Sequence, residues 1–155
     1  MTKTVPGILD LKSFLPYRLS VVTNKVSSNL ASMYSLKFDL SIAEWRVMAV
    51  LGQQSDLSAD EVCRETEMDK VTVSRAVTKL LNKKLLQRSF SREDRRRSIL
   101  CLSSRGYSTY SQIVPMALSY EESLLSALSE KEVRQLDELL LKLNGQAREL
   151  AQSER

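Results

Sequence analysis

The chain has 155 residues, with 23 Lys or Arg against 19 Asp or Glu and a formal net charge of +4. This length suits a single domain, and the absence of histidine removes the commonest metal ligand and general base. The two cysteines, Cys63 and Cys101, are too few for a thiolate zinc site. Because the chain has neither a membrane-length apolar run nor a signal-peptide pattern at its start, we expect a cytoplasmic protein with no cofactor, metal or membrane partner.

The first predicted element is a long amphipathic helix. Apolar residues recur at helical spacing from Leu9 to about Leu36. Pro16 falls near the predicted start, where the missing N–H of a proline costs least.

Four further helix starts are indicated by capping residues. The motif Ser-x-x-Glu, typical of a capping box, occurs three times, and Asp69 is a suitable N-cap for a helix that runs to Lys84. The three motifs are Ser41 with Glu44, Ser58 with Glu61, and Ser129 with Glu132, which predict helices to about Leu51, about Thr66 and about Ala151.

The helix from Asp69 to Lys84 has two contrasting faces. Val73, Val77, Leu80 and Leu81 gather on one face, and Val71, Thr72, Arg75, Lys79 and Asn82 gather on the other. A solvated surface is the simpler interpretation of the second face. We favour a DNA-binding face, because it has no acid after Asp69 and because Thr, Arg and Lys donate well to phosphates and base edges.

Two short predicted strands, Gln87–Phe90 and Ser98–Leu102, flank a charged hairpin tip. Residues 83–97 contain seven basic and two acidic residues, a net charge of +5, which leaves −1 for the rest of the chain. Concentrated positive charge of this kind favours phosphate neutralisation, although any single arginine here is also compatible with a solvated surface.

The order of elements predicts a mainly α fold with a small β-hairpin wing. A further helix from Ser103 to about Ala127 follows the hairpin. Residues 40–103 form a winged helix-turn-helix lobe, and residues 8–36 and 104–151 form long N- and C-terminal dimerisation helices within one chain, 1–155. The apolar stripes of these end helices are compatible with an intramolecular core. We favour a dimer interface, since two recognition helices then meet successive major grooves.

Several segments resemble the MarR family of bacterial transcriptional regulators, namely residues 40–51, 71–81, 85–88 and 94–106. The last segment matches the wing pattern of that family, in which Asp-x-Arg is followed by Leu-Thr or Leu-Ser and then Gly, here Asp94, Arg96, Leu102, Ser103 and Gly106. Lys84 stands where the family often has glycine. The first helix lacks the cysteine that the peroxide-sensing branch uses.

The resemblance implies an obligate homodimer on double-stranded DNA with a pseudo-palindromic operator. Arg75 and Lys79 would contact bases or phosphates, and Arg96 would enter a minor groove. Asp94 would orient Arg96 or Arg75 through an ion pair. The predicted DNA-binding residues are Lys70, Thr72, Ser74, Arg75, Lys79, Arg92, Asp94, Arg95, Arg96 and Arg97.

The resemblance also implies control by a small aromatic carboxylate or phenolic effector, bound between the dimerisation helices and the DNA-binding lobe. Lys25, Trp45 and Arg46 would supply two cations and an aromatic ring to such an anion. The alternative is that Trp45 is a core residue and that both cations are surface groups.

The predicted function is therefore sequence-specific DNA binding by a dimeric repressor that the effector releases. The alternative is a constitutive DNA-architectural protein without ligand control. An enzyme is disfavoured, because the chain has no histidine, no Gly-rich phosphate loop and no paired acids that suggest a cleft.

Overall fold

The computed structural model describes residues 7–94 and 96–153. Its elements are α1 (Leu15–Phe38), α2 (Ile42–Gln53), α3 (Ala59–Thr66), α4 (Lys70–Asn82), β1 (Leu86–Phe90), β2 (Ser98–Leu102), α5 (Ser104–Leu125) and α6 (Glu130–Ser153). The contacts group the chain into two units, one that ends at Met116 and one that begins at Ala117. The predicted fold class, mainly helical with one β-hairpin, is confirmed.

The predicted capping interactions are all present. At Ser41 and Ser58, the serine hydroxyl accepts the N–H of the glutamate three residues later, and that glutamate accepts the serine N–H at 2.7 Å. Ser129 makes the same reciprocal pair at the start of α6. These helix starts are therefore specified by hydrogen bonds between residues three apart in sequence.

Helix α1 begins six residues later than the apolar spacing predicted, at Leu15 instead of Leu9. The carbonyl of Asp10 accepts the N–H groups of Ser13 and Phe14 in a separate turn. Pro16 explains the correction, because its ring would clash with the carbonyl of residue 12 if a helix ran through from Leu9. The first part of the predicted segment 8–36 is therefore not helical.

The core of the first unit lies between α2, α3, α4 and β2. Its fully buried side chains include Val47, Met48, Leu51, Val62, Val73, Leu80 and Leu100. The predicted apolar face of α4 is confirmed at Val73, Val77 and Leu80, whereas Leu81 is half-buried and Ala76 takes a place in the core. The opposite face of α4 is consequently turned away from the core.

Strands β1 and β2 form an antiparallel pair in which Leu86 lies opposite Leu102 and Phe90 opposite Ser98. The N–H of Leu100 donates to the carbonyl of Leu57 at 2.7 Å, which attaches the hairpin to the segment before α3. The hairpin is thus joined to the helical lobe by backbone as well as by its buried leucines.

Helix α4 ends in a Schellman motif at Lys84. The N–H of Leu85 donates to the carbonyl of Leu80, and the N–H of Lys84 donates to that of Leu81. Lys84 itself has φ of 59°, in the left-handed region that glycine adopts without a Cβ penalty. The lysine therefore adopts a backbone conformation that favours glycine, at a cost in free energy.

Lys84→Gly is expected to raise the free energy of unfolding by about 1 kcal/mol, because it removes the left-handed penalty. Chemical denaturation measures the change. Lys142→Gly in the exposed middle of α6 is the matched control, and it should lower the free energy of unfolding by about 1 kcal/mol. A loss of stability in Lys84→Gly would contradict the assignment.

The second unit contains the end of α5 and all of α6. No residue of α6 is buried, and its exposed leucines include Leu136, Leu139, Leu140, Leu141, Leu143 and Leu150. In the first unit, α1 likewise exposes Leu15, Tyr17, Leu19, Val22, Met33 and Leu36. No helix in the described part of the chain is both long and apolar enough to cross a membrane.

Candidate nucleic-acid interface

Arg75 and Lys79 lie on the outward face of α4. Both side chains are exposed, and neither forms an ion pair with a described residue. With Thr72 and Ala76 they line a groove of about 170 Å³ whose other wall is Ser41 and Ala43, at the start of α2. Arg75 and Lys79 are therefore both available to an external anion along this groove.

The other predicted residues of α4 have internal partners or lie at its flank. The Thr72 hydroxyl donates to the carboxylate of Asp69 at 2.6 Å, and this bond is the main reason that the pKa of Asp69 is lowered. Lys70 pairs with Asp60 of α3 at 3.2 Å. Ser74 is exposed, and its carbonyl accepts the hydroxyl of Thr78. Sequence reasoning missed Asp60 because nothing in the pattern placed α3 against Lys70.

At the hairpin tip, Arg92 and Arg96 are exposed and have no ion pair among the described residues. The carboxylate of Asp94 accepts the backbone N–H of Arg96 at 2.9 Å. The predicted ion pair of Asp94 with Arg96 or Arg75 does not occur among the described residues. An aspartate in a tight turn instead reaches the backbone two residues ahead. Asp94 thus shapes the tip through its backbone. Arg95 lies outside the described residues.

Arg97 forms an ion pair with Glu61 of α3. Glu61 also accepts the N–H of Ser58 at 2.7 Å, and these two partners, Arg97 first, lower the pKa of Glu61 to about 2. The pair is consequently ionised at neutral pH. The predicted phosphate-neutralising arginine already has a carboxylate partner, which lies 36 residues away in sequence.

Lys83 is the second basic residue of the 83–97 segment with an internal partner. Its ammonium lies 3.0 Å from the buried carboxylate of Glu44 and 3.3 Å from that of Asp39, and it also donates to the Asp39 carbonyl. Burial opposes ionisation of Glu44, but Ser41 and Lys83 hold its pKa below the ordinary value. The charge count of the segment therefore overstates the charge available to an external anion.

The three residues predicted to hold a ligand have different environments. The Trp45 ring is only 8% exposed, with the Tyr34 ring centroid at 5.6 Å and that of Tyr110 at 5.9 Å. Arg46 is half-buried and donates to the Ser27 hydroxyl at 3.0 Å, whereas Lys25 is exposed. Burial raises the pKa of Tyr34 to about 12. Trp45 is thus a core residue, and a ligand contact for the three residues stays a prediction.

Both the sequence of this lobe and the fold of the chain are similar to those of known proteins. Residues 38–97 match the sequence model of the MarR family. The fold matches that of a MarR/EmrR family transcriptional regulator from Acinetobacter sp. ADP1, with a TM-score of 0.84 and 29% identity over 91% of this chain and 99% of that one. The chain is thus similar to MarR family regulators, in the sequence of its central lobe and in its fold.

Two other proteins extend the comparison with the MarR family. The HTH-type transcriptional regulator BilQ of Clostridium symbiosum is 30% identical over 93 residues, which are 60% of this chain and 65% of the length of BilQ. BpsR of Bordetella bronchiseptica, whose DNA binding is regulated by 6-hydroxynicotinic acid, has a TM-score of 0.78 and 23% identity, over 89% of this chain and 98% of that one. BpsR therefore shares the fold.

The end of the MarR wing motif has a structural task in this chain. The Ser103 hydroxyl donates to the carbonyl of Lys84 at 2.7 Å and accepts the N–H of Gly106 at 2.9 Å. A Cβ on Gly106 would lie 2.0 Å from the carbonyl oxygen of Leu85. Glycine is thus required for the start of α5 to contact the turn between α4 and β1.

Proposed function

We propose that this protein is a dimeric transcriptional regulator that binds double-stranded DNA, with α4 in a major groove and the hairpin wing at the adjacent minor groove. One observation carries the proposal. The lobe carries four exposed cations that have no ion pair among the described residues, namely Arg75, Lys79, Arg92 and Arg96. The first two lie on α4 and the other two on the wing, the elements that this proposal places against DNA.

The two cations of α4 have separate roles in this proposal. Arg75 contacts a base edge, because a guanidinium donates two parallel hydrogen bonds to guanine. Lys79 contacts a phosphate that lies in the groove beside the start of α2, and Ser74 contributes a phosphate contact at the flank. Thr72 and Lys70 hold the start of α4 in place through Asp69 and Asp60.

Arg92 and Arg95 of the wing neutralise phosphates, while Arg96 enters the minor groove from a turn that Asp94 shapes.

The same proposal assigns the exposed apolar stripes to a homodimer. The leucines of α6 and the apolar side chains of α1 are exposed in the single chain, and burial of such surface is the main driving force for association. A two-fold dimer would present two copies of α4 to a pseudo-palindromic operator.

We further propose a repressor that a small aromatic or phenolic anion releases. The half-buried Arg46 and the exposed Lys25 supply positive charge for the anion, and Trp45, which is buried in the single chain, would contact it only after a local rearrangement. The regulation of BpsR by 6-hydroxynicotinic acid, an aromatic acid, supports this class of effector.

The deciding experiment titrates the protein against its own upstream DNA and against a scrambled duplex at several salt concentrations, with and without aromatic carboxylates. Preference for the upstream DNA, lost on addition of one compound, would support ligand-controlled repression. Preference that no compound changes would overturn the effector while leaving specific binding intact. Equal binding to both duplexes, insensitive to every compound, would replace the proposal with a constitutive architectural role.

Arg96→Ala is expected to weaken DNA binding about 10-fold and to lower the slope of log affinity against log salt by about 0.9, because one phosphate-proximal charge is lost. Titrations at four salt concentrations measure both quantities. Arg134→Ala removes an exposed arginine from α6 and is the matched control. If Arg96→Ala kept the parental affinity and slope, the wing assignment would be wrong.

A further inference from the structure

The hairpin wing is joined to the start of α3 by two contacts, one from Arg97 directly before β2 and one from Leu100 within β2. The side chain of Arg97 pairs with Glu61, and the N–H of Leu100 donates to the carbonyl of Leu57. Leu57 lies directly before the N-cap residue of α3, and Glu61 lies in its first turn. The wing therefore takes its position from the start of α3.

Arg97 also closes the hairpin tip through its backbone. Its carbonyl accepts the N–H of Ser91 at 2.9 Å, and its own N–H donates to the carbonyl of Asp94 at 2.9 Å. The exposed Arg92 and Arg96 lie inside the loop that these bonds close. A displacement of Arg97 would consequently move both of these cations.

Glu61 is held in place before it meets Arg97. Its carboxylate accepts the N–H of Ser58 at 2.7 Å, and its N–H donates to the Ser58 hydroxyl at 3.3 Å. The capping box leaves the carboxylate in one orientation at the helix start. Glu61 thus presents a fixed negative charge to the wing, and the strongly lowered pKa of this carboxyl agrees with that geometry.

We propose that Glu61 is a positioning residue for DNA recognition, which sets the place of the wing by holding Arg97, and that Arg97 itself makes no phosphate contact. The inference rests on the proposed DNA binding and refines it. Glu61 contributes twice, since it caps α3 and fixes the loop that carries Arg92 and Arg96.

The test compares Glu61→Gln, Arg97→Gln and the double variant with the parent. We expect each single variant to weaken binding to the preferred duplex about threefold and to speed amide exchange in the hairpin about threefold, as suits a partly exposed ion pair. The double variant should be no weaker than either single variant, because both remove one interaction. Arg97→Gln should keep the parental salt slope.

Glu132→Gln is the matched control, because Glu132 occupies the same capping-box position at the start of α6. It should leave DNA binding and hairpin exchange unchanged. Arg97→Gln keeps the capping box of α3 and decides the question if Glu61→Gln fails to fold.

Three results would overturn the inference: a salt slope lowered by about 0.9 in Arg97→Gln, additive losses of affinity in the double variant, or unchanged hairpin exchange in both single variants. Failure of the parent to prefer any duplex would overturn the proposed function instead. The rate of amide hydrogen exchange in the hairpin can be measured without DNA. It would therefore still decide whether the ion pair positions the wing.

Discussion

Gly106→Ala is expected to lower the free energy of unfolding by about 3 kcal/mol, at the upper end of the cost of overpacking. The added Cβ would lie 2.0 Å from the carbonyl oxygen of Leu85 and 3.1 Å from its carbonyl carbon. These are backbone atoms, and the same oxygen accepts the N–H of Ser103 at 3.0 Å. Relief of the clash therefore requires the start of α5 to move away from the turn that follows α4.

Denaturant unfolding measures this loss, with the slope against denaturant checked for constancy. Gly145→Ala is the matched control, because nothing lies within 4 Å of a Cβ at that helical position. The control should gain up to about 1 kcal/mol from the better helix propensity of alanine. A Gly106→Ala protein as stable as the parent would show that the contact is not needed.

Arg75→Ala is expected to cost about 1–3 kcal/mol of DNA-binding free energy, or about 5- to 150-fold in affinity, and to relax the preference at one base pair. The reason is that Arg75 is exposed on α4 without an ion pair among the residues described, so that its guanidinium is available to a base edge. Affinities across a panel of operator variants at one fixed salt concentration measure both effects.

Lys70→Ala is the control for this experiment. It removes one positive charge from the same helix, but that charge already pairs with Asp60. We expect a smaller loss that is nearly equal for every duplex in the panel, since a charge of this kind carries no sequence information. If Arg75→Ala instead weakened all duplexes equally, Arg75 would be a phosphate contact.

The sequence was most informative where structure depends on neighbours in the chain. The capping boxes at Ser41, Ser58 and Ser129 predicted three helix starts, and β2 was predicted at its observed bounds although its alternation of apolar and polar residues is imperfect. These features need only local hydrogen bonds and side-chain periodicity. Apolar spacing alone misplaced the start of α1, because it ignored the clash that Pro16 imposes.

The candidate site was less predictable, because the partners of its charged residues are distant in sequence. The seven basic residues of segment 83–97 formed one positive patch in the sequence, yet Lys83 pairs with Glu44 and Arg97 pairs with Glu61. No local pattern links residues that are 39 or 36 positions apart. The aromatic surroundings of Trp45 depend in the same way on Tyr34 and Tyr110, which lie on other helices.

Lys83 lies at the end of α4, and its ammonium contacts both Asp39, which follows α1, and Glu44 in α2. It therefore connects three parts of the lobe. Sliding α4 along α2 would leave the buried carboxylate of Glu44 without its cation, which is costly in a protein interior. The three helices are therefore expected to move as one rigid body. In the proposed dimer, a change in the distance between the two copies of α4 would therefore require each DNA-binding lobe to rotate as a whole.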